Sequence, residues 1–169
     1  ERGAYLVVDG IQGVGAIPLD VHALGIDFLS ADGHKWMLSV EGCGAQYVSP
    51  EAMGRMDPVN IGWMSVEGAS DYSNYDMVLR DDARRFEEGS HNMIGGHALG
   101  ASSGLILEAG IDAVWERIRG ITDRLLEGLD RLNCEVLSPR HEYERSGIVS
   151  FRVRDTAPAA VVLRLEEAG

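Results

Sequence analysis

Three short apolar runs interrupted by glycines constrain this chain most. They occupy residues 4–8 (AYLVV), 26–31 (IDFLSA) and 44–49 (GAQYVS), each five or six residues long and carrying β-branched or aromatic side chains. Each is too short for a helix and bounded by turn residues, so each reads as a strand, the first of them buried. The first ends at Asp9; Gly10, Gly13 and Gly15 break the chain after it, and Pro18 blocks an immediate long helix. Asp20 to Gly25 reads as a short helix, with Asp20 as its cap and Gly25 as its stop. Pro50-Glu51 opens another helix after the third strand. Strands alternating with helices are the pattern of an α/β layer fold.

Further along, residues 58–92 carry little periodicity, as expected of a functional or interface segment. Residues 93–109 are Gly- and Ala-rich and helical. From Asp112 to Leu132, the residues Val114, Ile118, Ile121, Leu125 and Leu129 form one stripe of a long amphipathic helix. Residues 134–137 and 147–153 read as strands, and 158–167 as a last helix. The expected fold is therefore an open, mostly parallel sheet with flanking helices, followed by the start of a small α+β domain. The expected division lies between residues 1–110 and 111–169.

Charge excludes some functions. With 27 acidic against 15 basic residues, the formal net charge is −12, a surface that phosphate backbones and anionic membranes repel. Nucleic acid is not an expected partner, and no run of apolar residues is long enough to span a bilayer. Cys43 and Cys134 match no metal or redox spacing, and both read as reduced thiols of a cytoplasmic protein. The ends at Glu1 and Gly169 read as cuts through a longer chain.

The basic residues carry the chemical signal. Fourteen are arginine and one is lysine, Lys35, in His34-Lys35-Trp36 just after the second strand. Arginine-favouring codons explain the scarcity of lysine but not where the survivor stands. Arginine cannot lose its proton and condense with a carbonyl; lysine can. Asp9 closes the preceding strand, so a carboxylate and a lysine stand at the edge where open α/β sheets bind ligands. Pyridoxal phosphate requires this pair: a lysine for the covalent link and an acid opposite the pyridine nitrogen. The glycines after Asp9 follow Gly-x-x-Gly-x-Gly, not the dinucleotide pattern, and read as turn glycines.

The motifs Val7–Val21 (VVDGIQGVGAIPLDV), Asp27–Trp36 (DFLSADGHKW), Glu41–Val48 (EGCGAQYV), Gly62–Ser65 (GWMS) and Arg85–Asn92 (RFEEGSHN) carry a resemblance along nearly the whole chain. It resembles the class V aminotransferase family of pyridoxal phosphate enzymes, which includes cysteine desulfurases, selenocysteine lyases, kynureninase and isopenicillin N epimerase. The resemblance implies a fold type I large domain and a homodimer with shared active sites acting on an amino-acid substrate. It makes Lys35 the Schiff-base lysine, Asp9 the partner of the pyridine nitrogen and Gln12 the hydrogen-bond partner of the ring oxygen. It takes His34 to the cofactor phosphate, and Ser90, where the family has the Thr of Gly-Thr-Pro-Asn, to the phosphate of the neighbouring subunit. Asp32 stands where relatives often carry a phosphate-binding Ser, and His91 replaces the usual Pro. Within the family a desulfurase-like lyase is the first expectation, an aminotransferase or epimerase the next. An inactive fragment or non-catalytic relative is the alternative. Trp36, Trp63 and Trp115 read as packing residues, and Arg84 and Arg85 as a salt-bridged surface.

Overall fold

The computed structural model describes residues 3–169. The chain divides into two compact units. One comprises the residues up to Gly15 together with Leu19–Glu108, the other Ala16–Pro18 and Ala109–Gly169.

In the first unit, β1 (Val7–Asp9), β2 (Phe28–Asp32) and β3 (Gly44–Val48) form a sheet in the order β1-β2-β3. β1 and β2 are parallel, with Asp9 opposite Ser30; β2 and β3 are antiparallel, with Ser30 opposite Gln46 and Asp32 opposite Gly44. The sheet is thus mixed in direction. β1 is shorter than the apolar run 4–8 because a side chain takes over the ladder at its start. Asp27 Oδ2 accepts the Leu6 N–H at 2.8 Å, while the Leu6 carbonyl accepts from the Asp27 and Phe28 amides. The second strand starts later than expected and keeps Asp32 inside the sheet. Ser49 leaves the third strand to cap α1 (Pro50–Met53), its Oγ accepting the Ala52 N–H at 3.1 Å.

Asp20–Gly25 is a single turn and not a helix. Asp20 Oδ1 does accept the His22 and Ala23 amides, as a cap should. Gly25, at φ +62°, then closes the turn, and the Ile26 N–H returns to the Val21 carbonyl. The stretch between Pro18 and Ile26 is too short to repay helix nucleation. Ile26, Leu29, Ala31, Met37, Val48 and Ala52 are buried in this unit. α2 (Met93–Ala109) starts and ends where the composition placed it.

In the second unit, α3 (Ile111–Arg131) is the expected amphipathic helix, and of its stripe Leu129 is buried and Val114 and Ile118 are half-buried. Ile121 and Leu125 are exposed, at 51% and 43%, whereas Thr122, Leu126 and Leu129 are buried. Thr122 belongs inside because its hydroxyl is satisfied twice: it donates to the Arg119 carbonyl and accepts from Arg145 Nη2, each at 3.0 Å. Arg145 also pairs with Asp123 at 2.7 Å. β4 (Glu135–Val136) and β5 (Phe151–Arg152) pair antiparallel and are shorter than expected. Ser138 ends the ladder, its amide and hydroxyl both bonding the Ser150 backbone. α4 (Pro158–Ala168) closes the chain. No helix among the described residues is long and apolar enough to cross a membrane.

Candidate active site

Strand direction builds the site. β1 and β2 run in parallel, so Asp9 and the Gly33–Ser39 loop emerge at the same edge of the sheet, and β3, being antiparallel, begins there. A cleft of about 480 Å³ opens at this edge, lined among others by Asp9, Ser30, Asp32, Cys43 and Gln46. Asp9 is exposed in it. Its Oδ1 accepts the Ile11 N–H at 3.0 Å, and its other oxygen forms no hydrogen bond with any described residue.

The loop that carries Lys35 is closed by its own backbone. The Gly33 amide donates to the Cys43 carbonyl at 2.8 Å, Ser39 to Gly33 at 2.9 Å and Leu38 to Lys35 at 3.0 Å. Lys35 is half-buried, and no described carboxylate lies within ion-pair distance of it. Asp32 and His34 face each other across this loop, Oδ1 to Nδ1 at 3.1 Å, and neither atom meets another polar partner. The imidazole holds the Asp32 carboxyl below its ordinary pKa by hydrogen bonding and charge. Asp32 therefore lines the cleft as a carboxylate with the His34 imidazole alongside.

The glycine-rich loop is not a phosphate cradle. The Gly13 and Val14 amides both turn back onto the Gly10 carbonyl at 2.9 Å, and Gly10 donates to Ser30. Its last glycine packs against the lysine loop instead. Gly15 has φ +89°, and a Cβ there would lie 2.6 Å from the Trp36 carbonyl oxygen. Gln12 is held by the same neighbour: the Trp36 indole N–H donates to its Oε1 at 3.2 Å. Trp36 is thus a hydrogen-bond partner as well as a packing residue. Gly15→Ala is expected to destabilise the full-length protein by about 2–4 kcal/mol, because left-handed strain and a backbone clash add. Denaturant unfolding checks this, and an unshifted midpoint contradicts the packing.

The structure brings together Asp9 and Asp32 at the cleft, and Gln12 with the lysine loop through Trp36. Ser90 is exposed and does not line the cleft. The motif reading passed over Asn92, two residues on. Its Oδ1 accepts the Gly95 N–H at 3.0 Å, capping α2, and its Nδ2 donates to the Gly42 carbonyl at 3.1 Å. It ties the start of β3 to the helix, and its one sequence signal is an amide residue just before a helical run. Arg84 pairs with Asp82, as expected of a surface arginine, and holds that carboxyl down to about 2. Arg85 differs: it is half-buried, Nη1 reaches the Met53 carbonyl at 3.4 Å, and Nε has no partner. The irregular segment 58–92 folds round a cavity of about 300 Å³ whose lining includes Trp63, Tyr72 and Tyr75.

The comparisons with known proteins agree with one another. A probable cysteine desulfurase of Pyrococcus abyssi is 35% identical over 167 residues, covering 99% of this chain and 41% of its own length. The apo structure of a cysteine desulfurase from Thermococcus onnurineus superposes with a TM-score of 0.86 at 30% identity, over 99% of this chain and 41% of that one. A variant of C-DES, solved with glycine covalently linked to its PLP cofactor, gives 0.85 at 26% identity, over 97% and 42%. The chain therefore spans about 41% of the length of the curated relative it matches. The family model for aminotransferase class-V matches residues 1–169. With an α/β sheet whose edge gathers Asp9 and the Lys35 loop, and a family match over its whole length, the chain belongs to the class-V aminotransferase family.

Proposed function

We propose that this chain is the lysine-bearing part of a pyridoxal-phosphate-dependent enzyme that acts on an α-amino acid in the manner of a cysteine desulfurase. One observation carries the reading: the only lysine of the chain stands in a backbone-closed loop at the sheet edge where Asp9 enters an open cleft. The donor set fits the cofactor. Among the described residues, Asp9 keeps one carboxylate oxygen unbonded, Gln12 has its carbonyl engaged and its amide nitrogen free, and Lys35 has no ion-pair partner. Asp32, like Asp9 a carboxylate of the cleft lining, stands beside the His34 imidazole, Oδ1 to Nδ1 at 3.1 Å.

When bound, the cofactor supplies an electron sink for the pair left at the substrate Cα. The protein supplies the rest. Lys35 anchors the cofactor covalently through its amine and, once released, moves the Cα proton as general base and acid. Asp9, as a carboxylate, holds the proton on the pyridine nitrogen. Gln12 donates to the ring oxygen, and His34 and Ser90 serve the phosphate, Ser90 that of the neighbouring subunit in a homodimer. On this reading residues 1–110 form the C-terminal half of the cofactor-binding domain, and residues 111–169 lead into the smaller one. The enzyme works in the cytoplasm.

The test is borohydride reduction of the full-length protein loaded with pyridoxal phosphate, followed by peptide mapping. The reduced adduct is expected on the peptide containing Lys35. Stoichiometric labelling elsewhere, with this peptide unmodified, overturns the reading.

A further inference from the structure

The contact between Trp36 and Gln12 does more than join two loops. A carboxamide can rotate by half a turn at little intrinsic cost, because the terminal torsion is broad and two-fold. What it presents to a ligand is decided by what its other end touches. An indole N–H is a donor and never an acceptor, so the atom that meets Trp36 Nε1 at 3.2 Å has to be the Gln12 oxygen. Exchanging the ends would set N–H against N–H. The amide nitrogen, which bonds no described residue, is then the end left for a ligand.

The indole is itself held in place. Its ring is half-buried, and the Gly15 backbone lies against the Trp36 carbonyl so closely that no Cβ fits between them. Gly15, at one end of the loop, and Gln12, within it, are therefore referenced to the same residue, the first through main-chain contact and the second through the side-chain hydrogen bond. Asp9, at the other end of that loop, is fixed by the sheet and by the Ile11 amide.

We propose that Trp36 is a positioning residue of the cofactor site, its indole N–H pinning the Gln12 carboxamide so that the amide nitrogen faces the ligand. The inference rests on the pyridoxal phosphate reading above and assigns Trp36 no contact with the cofactor. The ligand group that an outward amide nitrogen selects is an acceptor oxygen, best one that carries negative charge. If the indole bond is lost, the carboxamide turns over for part of the time and offers its carbonyl, which repels that oxygen. A charged oxygen deprived of its donor becomes more basic, so the bound cofactor titrates at higher pH.

The experiment compares full-length Trp36→Phe, Gln12→Ala and the double variant. Phe keeps an aromatic ring but loses the pyrrole part of the indole and with it the N–H. In the cofactor-loaded protein, the pH midpoint of the visible band is expected to rise in Trp36→Phe by up to about one unit, a tenfold change in the proton equilibrium. Gln12→Ala raises it at least as much, and the double variant no further than Gln12→Ala, because both substitutions remove the same donor. In the cofactor-free protein, the Trp36 indole resonance is expected to shift and its proton to exchange faster in Gln12→Ala. Additive shifts in the double variant, or an unmoved midpoint in Trp36→Phe, overturn the proposal. A midpoint unmoved by Gln12→Ala, with Lys35 still labelled by borohydride, also overturns it and leaves the cofactor reading intact. Failure to label Lys35 overturns the cofactor reading itself, and the indole resonance then decides separately whether the contact exists.

Discussion

Lys35→Ala in the full-length protein is expected to abolish covalent attachment of the cofactor and to lower turnover on the order of 10⁴-fold or more. The size follows from two losses at one atom. Without the amine there would be no covalent anchor for the cofactor, and no general base and acid at the Cα, a role alone worth about 10²–10⁴-fold. Lys35→Arg is the sharper control. It preserves the positive charge but not the ability to give up a proton and condense, so it should fail as completely as alanine. Stability is expected to change little in either variant, because Lys35 is half-buried and has no described ion-pair partner to orphan. The measurements are the visible spectrum, the borohydride map and steady-state turnover, with thermal unfolding as the control. A retained covalent band in Lys35→Ala refutes the assignment.

Asp9→Asn is expected to keep the cofactor bound while lowering kcat about 10²–10³-fold. That is the scale of removing one preorganised electrostatic partner from a reacting group. The substitution is nearly isosteric. The asparagine Oδ1 can still accept the Ile11 N–H that Asp9 accepts at 3.0 Å, so the loop geometry after β1 survives. What disappears is the negative charge at the mouth of the cleft, and with it the reason for the pyridine nitrogen to stay protonated. A neutral ring nitrogen draws electrons weakly, so loss should fall on kcat and leave KM nearly unchanged. Turnover within twofold of the parent removes Asp9 from this role, whereas lost cofactor with intact folding makes it a binding residue only.

Much of this protein is legible before any coordinates. The apolar runs ending at Asp9 and just before Asp32 locate two strands to within a few residues, and α2, α3 and α4 lie where periodicity and composition place them. A solitary lysine among fourteen arginines marks Lys35 without any structure. Other readings held only in part, for physical reasons outside local sequence. The Asp20–Gly25 cap pairs its amides as a helix cap does, but the chain turns at Gly25 before a helix can propagate. The α3 stripe chosen by hydropathy holds at Val114, Ile118 and Leu129 but not at Ile121 and Leu125, which meet solvent, whereas a doubly satisfied Thr122 is cheap to bury. Trp36 read as packing alone, since its hydrogen-bond partner lies 24 residues earlier in the chain.

The division between the two sources of information follows from range. The sequence by itself determined the strands, the helices, the lysine and its acid, because propensity, periodicity and residue chemistry are properties of neighbours along the chain. Only the tertiary structure decided that β3 runs antiparallel, that Asp32 meets His34, that Asn92 binds Gly42 and that an indole orients Gln12. Most of those join residues remote in sequence, and the others turn on how a strand or a loop is folded back. Their partners are chosen by which donor and acceptor remain unpaired once the sheet has formed, and no local pattern records that choice.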